Sequence, residues 1–132
     1  MAIQPLFILL CSGEHEKIQM AAMTAAVAAV SERPVTVLVT MNAMPVFERG
    51  LTPEQRYTGG QFSSLLLDKK APDAIDLFGQ GKMLGELTMY GCSMALDLLE
   101  WELENLTEDL FDEAMGLTKF LSDAEEGQLL TL

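Results

Sequence analysis

The order of apolar and polar residues along the chain predicts alternating strands and helices. Residues 6–11 are continuously apolar, as expected for a strand buried on both faces of a parallel sheet. Residues 14–30 predict a helix, and residues 35–40, almost all β-branched, predict a second strand. The predicted helix carries a stripe of mostly small side chains at helical spacing, which lets it lie close to a sheet: Ile18, Ala21, Ala22, Ala25 and Ala29.

Strand, helix and strand with short links form a βαβ unit, so the two strands should be parallel and the crossover right-handed. Residues 42–60 are irregular, and long irregular stretches in compact domains usually serve function or assembly. A helix is predicted near 62–66, and another from Pro72-Asp73 that Gly79, Gly81 and Gly85 end. A strand at 86–90 follows, with a turn at 91–93 and a helix from 93 to about 101. The last predicted elements are a helix capped by Thr107, a helix through Phe120 that Gly127 closes, and a final strand at 128–132.

Length and composition predict one soluble domain over residues 1–132. The chain has 132 residues and is 49% apolar. It is therefore long enough for one core and too short for two domains. No apolar segment approaches the roughly 20 residues that span a bilayer. The apolar run at 6–11 has no basic residue before it, so we do not interpret it as an export signal. Two cysteines without such a signal predict reduced thiols and a cytoplasmic location.

The charge balance excludes two classes of partner. Eight basic residues against 20 acidic ones give a net charge of −12, which disfavours binding to nucleic acid or to an anionic membrane surface. Residues 97–126 hold eleven acidic residues and one basic residue, Lys119. This acidic C-terminal third is either a solvated face, which we favour, or a docking surface for a basic partner.

The irregular stretch at 42–60 also suggests self-association. Its apolar residues would expose more apolar surface than a small acidic monomer keeps in water, so we expect a homo-oligomer. The residues concerned are Met44, Val46, Phe47, Leu51 and Tyr57.

Cys11 and Cys92 occupy similar positions in the pattern. Each follows an apolar strand, precedes a helix and is followed by a serine. Turns from strand to helix lie on one edge of a parallel sheet, so both thiols should share that edge. We favour Cys92 as the reactive thiol, because Gly91 allows a tight turn and a helix start stabilises a thiolate. Cys11 ends an apolar strand, where desolvation keeps it protonated, and either cysteine is alternatively a buried small apolar residue.

The other candidate site residues are His15 and Ser93. His15, four positions after Cys11, either assists a thiol or is an exposed residue of the first helical turn, the interpretation we favour. Ser93 directly follows Cys92 and is a possible accessory residue. One histidine and two distant cysteines give no metal-ligand spacing, and no glycine motif fits a phosphate-binding loop, so we expect neither a metal nor a cofactor.

Residues 85–99 resemble the cysteine motif of the DsrE/DsrF-like family of small sulfur carriers, which are related to TusD-type relay subunits. A glycine-led strand ends in Cys92, and a methionine-containing helix start follows. Residues 104–110 and the N-terminal strand–helix–strand fit more loosely. The resemblance implies a flavodoxin-like three-layer α/β fold with a mainly parallel sheet flanked by helices, a persulfide on Cys92, and homo-oligomers or relay complexes. Residues 41–45 depart from the family, lacking its aromatic–glycine character, and no second cysteine is near Cys92 in sequence.

The leading hypothesis is therefore a small cytoplasmic sulfur carrier, similar to a sulfurtransferase. The Cys92 thiolate would attack the persulfide of a donor protein, and the outer sulfur would pass to a thiol of an acceptor protein. One alternative is a non-catalytic interaction subunit that uses the acidic C-terminal third. A further alternative is a flavin or nucleotide binder on the same fold.

Overall fold

The computed structural model describes residues 3–132 of the chain. Within them lies a five-stranded, fully parallel sheet, with strands β1 Leu6–Leu10, β2 Val35–Val39, β3 Leu87–Cys92, β4 Glu113–Met115 and β5 Gln128–Thr131. The helices are α1 His15–Val30, α2 Pro53–Arg56, α3 Gln61–Asp68, α4 Ala74–Leu84, α5 Ser93–Leu99 and α6 Leu117–Ala124, with 3₁₀ turns at Met41–Phe47 and Leu103–Asn105. The strand order is β4-β3-β2-β1-β5. Strands β2 to β4 are therefore added successively on one side of β1, and β5 lies on its other side.

Helices cover both faces of the sheet, as the predicted three-layer flavodoxin-like fold requires. On the first face, α4 lies against α1 and β3: a Cβ at Gly81 would be 3.2 Å from Leu87 Cδ1 and 3.7 Å from Ala29 Cβ. On the second face, the Phe120 ring of α6 packs edge-on against Phe7 of β1, with centroids 5.9 Å apart. The predicted parallel βαβ start is confirmed by the β1–β2 pairing. No helix in residues 3–132 is long and apolar enough to cross a membrane.

The stripe of mostly small residues that was predicted to face the sheet is buried. Ala21, Ala22 and Ala25 are fully buried. A Cβ at Gly85 would overlap the Ala29 carbonyl, so this glycine ends α4 in contact with α1. The predicted helix end at Gly79 and Gly81 is wrong, because α4 continues through both to Leu84.

The predicted helix from Thr107 is wrong. Both the backbone N–H and the hydroxyl of Thr107 donate to the Phe47 carbonyl, at 2.8 and 2.9 Å, which holds the segment as a loop. The Asp112 carboxylate then accepts from the Met89 N–H at 2.9 Å and pairs with Lys82. These contacts lead the chain into β4, a short edge strand beside β3 that the sequence did not predict.

Two further predictions are wrong, one about residues 42–60 and one about Gly91, because both regions are closely packed. Met44, Val46, Phe47 and Tyr57 are buried, so residues 42–60 do not expose the apolar surface from which we predicted self-association. Gly91 lies within β3 and not in a turn. A Cβ there would be 3.3 Å from Leu106 Cδ1 and 3.5 Å from Leu96 Cδ1, so its role is close packing.

Candidate functional site

Cys11, Thr40 and Cys92 form a row across the carboxyl edge of the sheet. Cys11 and Thr40 follow the last mutually paired positions of β1 and β2, and Cys92 is the matching residue of β3. Side chains alternate between faces along a strand, so the row lies on the second face, with Phe7. Parallel neighbours are about 4.8 Å apart, which places the Cα atoms of the two cysteines roughly 10 Å apart. The prediction that both thiols share one edge is confirmed.

The two thiols differ in accessibility. Cys92 is 5% exposed and Thr40 is 6% exposed, whereas Cys11 is half-buried. Burial raises the pKa of the Cys11 thiol, and the nearby Cys92 thiol raises it further. The expected desolvation of Cys11 is therefore confirmed, yet Cys11 is the thiol that solvent reaches more easily.

The backbone around each cysteine is held by neighbouring segments. The Cys11 N–H donates to the Leu132 carbonyl at 2.7 Å, and the Cys11 carbonyl accepts from the Ala43 N–H at 3.1 Å. Cys92 is the N-cap residue of α5, which spans only seven residues. Ser93 begins that helix, half-buried, and its Oγ would be 3.8 Å from a Cβ at Gly116, where α6 starts.

His15 belongs to a second, buried cluster and forms no hydrogen bond with either thiol. Its Nδ1 lies 2.7 Å from the Ser63 Oγ, and its ring stacks on Tyr57 with centroids 4.0 Å apart. Burial lowers the pKa of His15, an effect partly offset by the carboxylates of Glu16 and Asp73. The favoured interpretation of His15 as an exposed residue is wrong, since it is 2% exposed.

Glu16 and Tyr57 complete this cluster. The Glu16 carboxylate accepts from the N–H groups of Gly60 and Ser63, at 2.9 and 3.0 Å, and so caps the start of α3. Backbone N–H groups, first its own and then those of Ser63 and Gly60, lower the pKa of Glu16. The Tyr57 hydroxyl is buried and has no hydrogen-bond partner within the described chain, and burial and then Asp73 raise its pKa. Sequence reasoning missed Tyr57 and Ser63 as partners of His15, because both are more than 40 positions away.

The charged surface carries no metal centre among the described residues. No group of three or more histidine, cysteine, aspartate or glutamate side chains there is arranged to hold a metal ion. In the acidic C-terminal third, three carboxylates form ion pairs, those of Glu108, Asp112 and Asp123. The others of the eleven acidic residues in that third are exposed to solvent.

The molecule is thus an α/β protein with a fully parallel sheet and two thiols at its carboxyl edge. It is similar in fold to a protein of unknown function, MTH1491 from Methanobacterium thermoautotrophicum, with a TM-score of 0.65 over 98% of this chain and 99% of that chain. The two sequences are 11% identical, so the likeness extends to the fold alone. No protein-family model matches the chain. No curated protein matches it either.

Proposed function

We propose that the protein is a small sulfur carrier that holds a persulfide on Cys92 and passes the outer sulfur to an acceptor thiol. The observation that carries the proposal is the position of Cys92, at the carboxyl end of β3 and in one row with Cys11. Open α/β sheets bind their ligands at this edge. The resemblance of residues 85–99 to the cysteine motif of DsrE/DsrF-like carriers supports the same residue.

The burial of Cys92 suits a carrier. A persulfide that stands free in solution exchanges rapidly with any thiol it meets, because exchange depends on access to the sulfur as well as on thiolate character. At 5% exposure, Cys92 is protected from that loss. The helix α5 that begins after Cys92 spans only seven residues, so its dipole contributes little at Cys92. Free, unpaired thiols also favour the cytoplasm as the compartment, with donor and acceptor proteins as partners.

We propose further that copies of the chain associate through the outer side of α1. Four exposed apolar residues form a stripe there, the α1 stripe: Met20, Met23, Val27 and Val30, at 52%, 43%, 68% and 55% exposure. The inner side of α1 is also apolar, and a helix that is apolar all round is normally buried. The stripe carries no charge, so it offers a neutral contact to a molecule whose net charge of −12 repels its copies elsewhere.

Persulfide loading tests the carrier proposal. The protein is incubated with glutathione persulfide, freed of donor in the presence of a mild thiol, and weighed intact by mass spectrometry. The wild type and Cys11→Ser should each retain the mass of one sulfur atom at saturation, which a strong reductant removes. Cys92→Ser should retain none. Equal retention by Cys92→Ser would overturn the assignment.

An interaction subunit is the second candidate function. The unpaired, exposed carboxylates of the acidic C-terminal third favour it, because they suit a basic protein surface. If neither cysteine retains sulfur from any donor, the carrier proposal fails and this candidate leads. A colourless protein without nucleotide absorbance would exclude a flavin or nucleotide binder in the same preparation.

A further inference from the structure

The two thiols differ in a way that a single-cysteine carrier does not explain. Cys92, the proposed carrier, is almost inaccessible, while Cys11 in the same row is half-buried. The side chain of a donor protein's cysteine persulfide is short, so its sulfur cannot reach a buried thiol without rearrangement of the edge. It can reach Cys11. The two thiols are also near enough for Cys92 to raise the pKa of Cys11, after the larger effect of burial.

The separation of the thiols restricts the chemistry between them. A disulfide needs Cα atoms about 4.4–6.8 Å apart, and one intervening strand sets these Cα atoms roughly 10 Å apart. A direct Cys11–Cys92 disulfide is therefore too short for the gap. One additional sulfur lengthens the link by roughly 2 Å and closes most of the difference. The row thus favours a sulfur atom in transit between the two thiols and disfavours a bond between them.

We propose that Cys11 is the entry thiol of the carrier and that sulfur moves from Cys11 to Cys92 across Thr40. The inference rests on the proposed function. The thiolate form of Cys11, a minority at neutral pH because burial raises the pKa of this thiol, attacks the outer sulfur of a donor persulfide, and the donor leaves as a thiolate. The Cys92 thiolate then attacks that same outer sulfur. A bond to Cys92 Sγ forms, the bond to Cys11 Sγ breaks, and its electron pair and a proton return to Cys11. No oxidant or reductant is consumed.

The spacing also prevents loss of the carried sulfur. In a closely spaced thiol pair, the second thiol attacks the inner sulfur of the persulfide, forms a disulfide and releases sulfide. That reaction requires the disulfide geometry that Cys11 and Cys92 lack. Strand β2, which ends just before Thr40, separates the two thiols. This separation permits transfer of the outer sulfur and prevents its release as sulfide.

The first experiment compares two donors. Wild type and Cys11→Ser are loaded from glutathione persulfide and from a folded protein bearing a cysteine persulfide, and the sulfur on Cys92 is followed over time by peptide mapping. With the protein donor, Cys11→Ser should load at least roughly tenfold more slowly than the wild type, because access limits the exchange. The loading rate with the protein donor, divided by the rate with glutathione persulfide, should be lower for Cys11→Ser than for the wild type. Equal rates with the protein donor would overturn the entry role while leaving Cys92 as the carrier. Failure of both proteins to load from either donor would instead refute the proposed function.

The second experiment tests the spacing with a thiol moved one strand closer. In the Cys11→Ser background, Thr40→Cys puts a thiol on the strand next to Cys92, about 4.8 Å away and within disulfide range. After loading, this variant should release sulfide and form a disulfide. The wild type should do neither, and Thr40→Val in the same background controls for the change at position 40. Sulfide release with a Cys11–Cys92 disulfide in the wild type would contradict the inference.

Discussion

Removal of the Phe120 ring tests how α6 closes the second face of the sheet. Phe120 is fully buried, and its ring meets Phe7 edge-on. Phe→Ala changes at such sites lower the free energy of unfolding by about 3–5 kcal/mol, of which the aromatic pair supplies about 1 kcal/mol. Since α6 has only one other buried residue, Ala124, little can refill the space. We expect a loss near the middle of that range, a large part of the roughly 5–15 kcal/mol available to a domain.

Urea unfolding followed by the fluorescence of Trp101, the single tryptophan, measures the loss. With a slope of about 1.5 kcal/mol per molar, a loss of about 4 kcal/mol in Phe120→Ala should lower the unfolding midpoint by roughly 2.7 M. Leu121→Ala is the matched control, because Leu121 neighbours Phe120 on α6 but is 41% exposed, and it should cost less than about 1 kcal/mol. Loosening α6 should also speed labelling of Cys92. A loss below about 1 kcal/mol for Phe120→Ala would refute the packing of α6 on β1.

Three further predictions concern acid stability, assembly and thiol reactivity. The pKa of His15 is lowered from 6.5, so burying neutral His15 costs the fold nothing above pH 6.5. As the pH falls below that value, the histidine of the unfolded chain binds a proton before the buried one does, and the free energy of unfolding decreases. Urea unfolding between about pH 5.5 and 7.5 should show a flatter pH dependence for His15→Gln than for the wild type, and equal slopes would contradict this. Val27→Glu should reduce the mass found by light scattering, whereas Thr118→Glu on α6 should not, and a wild-type monomer at micromolar concentration would count against assembly. Alkylation of Cys11 should still accelerate above pH 9.0, because its pKa is raised above that value, and a plateau below pH 9.0 would exclude the raised pKa.

The regular elements were predictable because their patterns are local. The strand β1 and the helix α1 follow from residues within each segment, and the predicted bounds agree with the structure to within about a residue. The short strand β4 has no such pattern. Its three residues, Glu113–Met115, form a strand because β3 offers a free edge and because Asp112 binds the Met89 N–H. Such long-range contacts leave no periodic signal in the sequence.

Strand β4, which the sequence did not predict, also explains why the sequence predicted the shared edge of the thiols but not their accessibility. Parallel topology alone brings Cys11 and Cys92 to one edge. Burial depends on the neighbours of each strand. Cys92 pairs with Met115 of β4 on its outer side, so β3 is an interior strand there. Cys11 lies one residue beyond the end of β1, where its N–H still bonds the Leu132 carbonyl just after β5, and it stays half-buried.

The buried cluster around His15 is best understood as a clamp for the turn that carries Cys11. That turn runs from the end of β1 to the start of α1, and a Cβ at Gly13 within it would overlap the Asn42 carbonyl, so it is tightly placed. The first two residues of α1 then bind a distant segment: His15 bonds Ser63 and stacks on Tyr57, and Glu16 caps α3. These bonds fix the start of α1 from the first face of the sheet, while α6 covers the second face. The position of Cys11 relative to Cys92 is therefore set from both sides, as the proposed transfer across the intervening strand requires.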